Sequence, residues 1–185
     1  MNETLNVIRN RRSHRGYKPE QLKDEDVKAI VEAAVYAPSA RNQQLWHFTV
    51  VQKPEILKKM MDVVRDNIAK SDMPFKDRAS DPKFNVYYEA PTVVICTIAE
   101  DAGWPELDIG AAAQNMCLAA ESLGYGSIML GMGAFALEGE KGKALKKELG
   151  IPDNYRHVIS VSLGYKLKPD TPTPPRKMDV ITYLK

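Results

Sequence analysis

Arg11-Arg12-Ser13-His14-Arg15, followed further on by Ala37-Pro38-Ser39-Ala40-Arg41-Asn42-Gln43-Gln44-Leu45-Trp46-His47-Phe48, are the stretches around which this chain is organised. The first places three guanidiniums and a hydroxyl within five residues. A guanidinium presents paired N–H donors that match two oxygens of a phosphate. The second breaks a helix with Pro38 and then offers Ser39, Asn42, Gln43 and Gln44 before the aromatic residues. Hydroxyls and amides both donate and accept, as the edge of a heteroaromatic ring requires. Together the two stretches point to a bound phosphorylated cofactor. Taken alone, the arginine cluster has a second reading: cations at the end of the first helix offset its negative pole.

Length and composition fit that reading. A chain of 185 residues makes one domain with a substantial core, spanning 1–185. Its 44% hydrophobic and 27% charged content is that of a globular protein. The formal charge is only +2, from 26 basic and 24 acidic residues, which argues against a general nucleic-acid surface. No apolar run is long enough to span a bilayer, and the N-terminus Met1-Asn2-Glu3-Thr4 does not resemble a secretory signal. A cytoplasmic location is expected. Cys96 and Cys117 are expected as buried thiols. The scattered histidines and cysteines lack ligand spacing, so no structural metal is expected.

The elements alternate. A first helix is predicted over about Thr4–Arg11, with Leu5 and Ile8 inward, and a second over about Asp24–Tyr36, with Val27, Ile30, Val31 and Ala34 on one face. Phe48–Val51 reads as a strand, and Pro54 opens a third helix. Residues 70–85 read as a loop or short surface excursion. Thr92–Ile98 is apolar enough for a central strand covered on both faces. The helix predicted over Leu107–Leu123 is apolar or small nearly all round, as in the middle of a fold or an interface. Gly124 stops it. A short strand follows between glycines, then a helix over about Glu140–Leu149 and a last strand over Val158–Tyr165. The tail, about 166–185, is rich in proline and is expected to cross its own surface or a partner's. The fold class is α+β, a sandwich of helices on a mixed or mostly antiparallel sheet.

The chain resembles the nitroreductase family of FMN-dependent oxidoreductases over essentially its whole length. The resemblance rests on Arg11-Arg12-Ser13-x-Arg15, on Ala37-Pro38-Ser39-x-x-Asn42-x-Gln44-x-Trp46-His47-Phe48 and on Ala90-Pro91-Thr92. It continues in Asp108-x-x-x-Ala112-x-Gln114-Asn115, in Ala119-Ala120-x-x-Leu123-Gly124-x-Gly126-Ser127 and in Leu163-Gly164-Tyr165. Each is weak alone; six in order are specific. Leu45 stands where the family often has Pro, and Ala40 replaces a second Ser.

The resemblance implies an intertwined homodimer with FMN at the interface and NADH or NADPH as co-substrate. The implied FMN contacts are Arg11, Arg12, Ser13 and Arg15 for phosphate, ribityl chain and pyrimidine edge. Pro38, Ser39, Ala40, Asn42 and Gln44 come from the other subunit. Leu130, Gly131 and Met132 give backbone contacts, and Arg176 with Lys177 lies in the tail. Arg15 and Arg11 are candidates for stabilising charge on the reduced ring, a role that preorganised donors fill elsewhere. No protein nucleophile or acid–base pair is required, because the cofactor carries the hydride chemistry. The implied cycle is ping-pong, with a nitroaromatic or quinone as acceptor. Other readings are an FMN protein with another donor or acceptor, such as enone reduction or a redox partner, and a flavin-binding module without turnover. Bland roles stand beside these: Trp46, His47 and Phe48 as packing, Gln114 and Asn115 as satisfied polar groups, His14 facing solvent or backbone. Asn67 and Lys70 lie at a helix end within reach of the flavin, though a solvated surface is the expectation, and Phe75, Phe84, Tyr87 and Tyr88 either wall a pocket or pack.

Overall fold

A computed structural model describes residues 2–170 and 172–185. Its helices are α1 (Glu3–Asn10), α2 (Asp24–Val35), α3 (Pro54–Lys70), α4 (Pro105–Ser122) and α5 (Gly139–Glu148), and its strands are β1 (Trp46–Val51), β2 (Thr92–Ala99), β3 (Gly126–Leu130) and β4 (Tyr155–Gly164). The local causes are plain. Asn2 caps α1 by accepting from Leu5 N at 3.0 Å. Asp24, Glu25 and Asp26 occupy the first turn of α2, at its positive pole. Pro54 starts α3, where a missing N–H costs nothing.

The four strands form one antiparallel sheet in the order β1-β2-β4-β3. Trp46 lies opposite Ile98, Thr92 opposite Leu163, and Gly126 opposite Gly164. The register shifts between Cys96, opposite Ile159, and Thr97, opposite His157, which leaves Val158 as an extra residue in β4. All eight residues of β2 are buried, because both faces are covered. On one face Val94, Cys96, Ile98, Val161 and Leu163 meet Ile30 and Ala34 of α2 and Ala112, Ala113 and Met116 of α4. On the other, Val93, Ile95, Ile128 and Leu130 meet Met60, Met61, Val64 and Ile68 of α3. The small residues of α4 let it lie close to both neighbours, and Asn115 Nδ2 donates to Ala33 O at 3.0 Å, tying α4 to α2. Both cysteines are buried and free. Burial pushes both thiols up, so neither is a ready thiolate.

One expectation fails. α1 has no buried residue, and Leu5 and Ile8 are 47% and 49% exposed. Periodicity identified the apolar face of this helix, but among the described residues of one chain that face is only about half covered. Residues 172–185 are likewise exposed throughout, including Val180, Tyr183 and Leu184. Elsewhere the differences are at the ends of elements: β4 begins at Tyr155 rather than Val158, and residues 76–80 of the polar excursion form a 3-10 turn.

Candidate functional site

The arginine segment leaves α1 and runs along the open edge of β3. Ser13 bridges Ser127 in parallel, and His14 N donates to Ser127 O at 3.0 Å. Tyr17 then bridges Lys166 beyond the end of β4. Ser13 and Arg15 are exposed and Arg11 is half-buried. The three guanidiniums are not equivalent. Arg12 Nη1 donates to Arg9 O at 2.8 Å and Arg11 O at 2.6 Å, and its Nη2 bonds Thr173 Oγ1. It therefore caps the carbonyl end of α1, the bland role. The guanidiniums of Arg11 and Arg15 have no hydrogen bond or ion pair among the described residues.

His14 is neither solvent-facing nor tied only through its backbone. Its Nε2 comes within 3.0 Å of Asp170 Oδ1, without hydrogen-bond alignment. Lys166 Nζ lies 2.7 Å from Asp170 Oδ2 and 3.2 Å from Glu121 Oε2. Burial, aided by the Lys166 charge and opposed by Asp170, holds the His14 imidazole below its ordinary value, which favours the neutral form. This cluster joins the arginine segment, the end of α4 and the root of the tail. Farther along, Arg176 Nη1 donates to Pro174 O at 2.8 Å, and Lys177 is exposed.

The second candidate group is a self-supporting turn. Ala40–Asn42 forms a 3-10 turn in which Arg41 and Asn42 have φ of +54° and +55°, and Gln44 has +50°. Three side-chain-bearing residues in left-handed backbone within four positions are costly, at roughly 1 kcal/mol or more each. Hydrogen bonds hold them there. Ser39 Oγ accepts from Gln44 N at 3.0 Å, Asn42 Oδ1 accepts from Gln44 Nε2 at 3.0 Å, and both Asp108 oxygens accept from Ala40 N at 3.1 and 3.2 Å. Pro38, Ser39 and Ala40 line a cavity of about 460 Å³ with the exposed Trp104 and Leu107.

The two groups sit at opposite ends of α4: the turn is fastened to Asp108, the arginine segment to the Glu121 cluster. Thirteen residues of helix separate these anchors by about 20 Å. The third group, Leu130, Gly131 and Met132, marks the exit from β3 into a 3-10 turn over Met132–Leu137; Leu130 is buried and Gly131 exposed.

Other residues singled out in the sequence take packing or scaffold roles. Trp46 and Phe48 stack with ring centres 6.0 Å apart, against the α2–α4 core. Phe84 and Tyr87 are buried in the α3 core, with Phe75 and Tyr88 against it. Asn67 is a clamp rather than a solvated group: its Nδ2 donates to Phe135 O at 2.7 Å and Glu138 O at 3.0 Å. Asp108, Glu121, Lys166, Asp170 and Asn67 were not foreseen as supports of the site. Apart from the Lys166–Asp170 pair, four residues apart, each works through a partner at least forty-five residues away, which leaves no local sequence signal.

The nitroreductase family model matches residues 8–165. A protein of Archaeoglobus fulgidus, provisionally named NADH dehydrogenase/NAD(P)H nitroreductase, is 40% identical over 170 residues, covering 89% of this chain and 86% of the relative. A nitroreductase with bound FMN from Bacteroides fragilis superposes with a TM-score of 0.92 at 34% identity, over the full length of both chains. A nitroreductase with bound FMN from Desulfitobacterium hafniense gives 0.90 at 34% identity, again over both full lengths.

Proposed function

The chain belongs to the nitroreductase family, and from that premise we propose that it is an FMN-dependent oxidoreductase. In this reading it passes reducing equivalents from NADH or NADPH to an electron-poor acceptor such as a nitroaromatic or quinone, in ping-pong order. The residues present fit the cofactor. The observation that carries the reading is the division among the arginines: Arg12 is engaged by carbonyls, whereas Arg11 and Arg15, in the same segment beside β3, have no hydrogen-bond or ion-pair partner among the described residues. Guanidiniums left free beside the exposed Ser13 suit a phosphate and the carbonyl edge of a flavin. Arg176 and Lys177, in the tail, add positive charge. When bound, FMN supplies a ring that accepts hydride from the nicotinamide and returns it to the acceptor. The protein's part is to bind, orient and bias that ring, with Arg11 and Arg15 stabilising the negative charge that accompanies reduction.

Pro38, Ser39, Ala40, Asn42 and Gln44 are proposed to complete the site from a second copy, with Leu130, Gly131 and Met132 against the ring. A homodimer is supported by their placement at the far end of α4 from the arginines. It is supported again by the exposed apolar residues Leu5 and Ile8 of α1 and Val180, Tyr183 and Leu184 of the tail, and by the unpaired outer edge of β1 in the described sheet. No helix among the described residues is long and apolar enough to cross a membrane; a cytoplasmic enzyme is the reading carried forward.

The visible spectrum of the purified protein tests this directly, before and after NADH or NADPH is added without oxygen. The expected result is a flavin band that bleaches and returns on addition of a quinone or nitroarene. A band indifferent to both nucleotides would call for another donor. No flavin after incubation with FMN would end the cofactor assignment.

A further inference from the structure

The sheet face under α3 carries buried polar groups that the proposed chemistry does not use. Thr97, Ser160 and Ser162 are buried, and His157 lies among them, its Nε2 2.9 Å from Ser160 Oγ. Burial alone lowers the His157 imidazole to about 4, so it is neutral near pH 7. Gly133 sits directly on this pair. A methyl carbon at position 133 would fall 2.4 Å from Ser160 Oγ, 3.1 Å from Ser160 Cβ and 3.2 Å from His157 Nε2. Gly133 is not among the positive-φ residues. Glycine is needed here for close approach, not for an unusual backbone angle.

The segment seated this way is the turn leaving β3. It starts at Gly131 and Met132, and Ala134 N closes onto Gly131 O at 3.1 Å. At its far end Asn67 holds the carbonyls of Phe135 and Glu138. The turn is therefore fixed from below by Ser160 and His157 and from the side by α3. A neutral imidazole bonded to a hydroxyl is a rigid, directional support, since sliding either group leaves a buried polar atom unpaired.

We propose that Ser160 and His157 are positioning residues for the cofactor ring: by seating Gly133 they set the height of the Gly131–Met132 backbone against the flavin. The proposal rests on the FMN reading above. It assigns His157 no contact with substrate and no proton transfer. What it adds is a determinant of flavin affinity and potential, lying under the site in the sheet.

The test is a rescue experiment on the full-length protein, with FMN as the probe. In Gly133→Ala the new methyl meets Ser160 Oγ and lifts the turn. FMN binding is expected to weaken about tenfold or more, with a shifted flavin midpoint potential. Ser160→Ala removes the nearest of the atoms in the way and leaves Cβ at 3.1 Å and His157 Nε2 at 3.2 Å. The double variant Gly133→Ala/Ser160→Ala is therefore expected to recover part of the affinity and move the potential back towards wild type, although His157 has lost its partner. Apoprotein thermal midpoints are measured alongside. Wild-type affinity and potential in Gly133→Ala would overturn the proposal. So would an affinity loss that merely follows the midpoints, with no recovery in the double variant. If the wild-type protein binds no FMN at all, the cofactor reading fails and this proposal falls with it; wild-type binding with an unperturbed Gly133→Ala removes only the proposal.

Discussion

The arginine segment at one end of α4 and the Pro38–Gln44 turn at the other are built on opposite plans. In the arginine segment the backbone is held by the sheet, through Ser13, His14 and Tyr17, and two guanidiniums have no partner among the described residues. In the turn the side chains of Ser39, Asn42 and Gln44 are engaged with one another or with local backbone, and they hold three left-handed residues in place. One region leaves charged donors unengaged among the described residues and borrows its rigidity. The other makes its own rigidity and offers shape. Removing side chains should therefore change binding but not stability at the first, and stability ahead of binding at the second.

The largest effect is expected from Arg11→Ala/Arg15→Ala. Charge-assisted hydrogen bonds contribute about 1.5–3 kcal/mol each, so losing both guanidiniums should weaken FMN binding by about 100-fold or more. The apoprotein should melt within a degree or two of wild type, because neither side chain has a protein partner among the described residues; with no more than about 0.5 kcal/mol at stake, a shift of that size is the ceiling. FMN titration and thermal melts of the apoprotein check both halves. A large loss of apoprotein stability would show that the guanidiniums are structural and would erase the contrast.

Asp108→Ala probes the opposite plan. It removes the carboxylate that accepts from Ala40 N. Leaving that part-buried N–H without its acceptor should cost about 1–2 kcal/mol of stability, with FMN affinity falling less than in the double arginine variant. Thermal melts and FMN titration give the ratio of the two effects. If binding falls sharply while stability holds, the turn offers direct contacts rather than shape.

How far these plans were legible follows from the distance each feature spans. The run Thr92–Ile98 announced a buried central strand and Gly124 does take the left-handed stop, at φ +83°, while the all-round apolar pattern of α4 corresponds to one fully buried face, its other face remaining partly exposed. All are properties of neighbouring residues. The apolar face of α1 was legible, but not what covers it, because periodicity carries no information about a partner surface. Which arginine caps α1 was hidden as well, since Arg11, Arg12 and Arg15 have the same chemistry and only the path along β3 separates them. The His14–Asp170–Lys166–Glu121 cluster and the seating of Gly133 on Ser160 join residues far apart in the chain. The register shift at Cys96–Thr97 has no sequence mark that we can name.

A smaller effect should come from Arg41→Gly. Arg41 is exposed, has φ +54°, and has no side-chain hydrogen bond or ion pair among the described residues. Glycine relieves the left-handed strain, while its greater freedom in the unfolded chain offsets part of the gain. The net expectation is a stabilisation of less than about 1 kcal/mol, or a thermal midpoint higher by roughly 1–3 °C. A lower midpoint would mean that the Arg41 side chain itself holds the turn, and the turn would then owe less to its hydrogen bonds than the comparison supposes.

The smallest effect is expected at the root of the tail, beside the arginine segment, and it separates a borrowed scaffold from an electrostatic one. The Lys166 hydrogen bond, opposed by partial burial and aided by the positive charges nearby, holds the Asp170 carboxyl below its ordinary value of 3.8. A carboxyl depressed in the folded state binds fewer protons there than in the unfolded chain. Its contribution is present in full above the ordinary value and disappears as pH falls through the depressed one. The Asp170 side chain is 42% exposed, so screening keeps that contribution under about 1 kcal/mol. Asp170→Asn should therefore lower the thermal midpoint slightly at pH 7. The gap to wild type should close below about pH 4 and shrink in 1 M salt. A gap that ignores both acid and salt would assign Asp170 to packing of the tail root, and the arginine segment would then be held by shape at its far end as well as by the sheet.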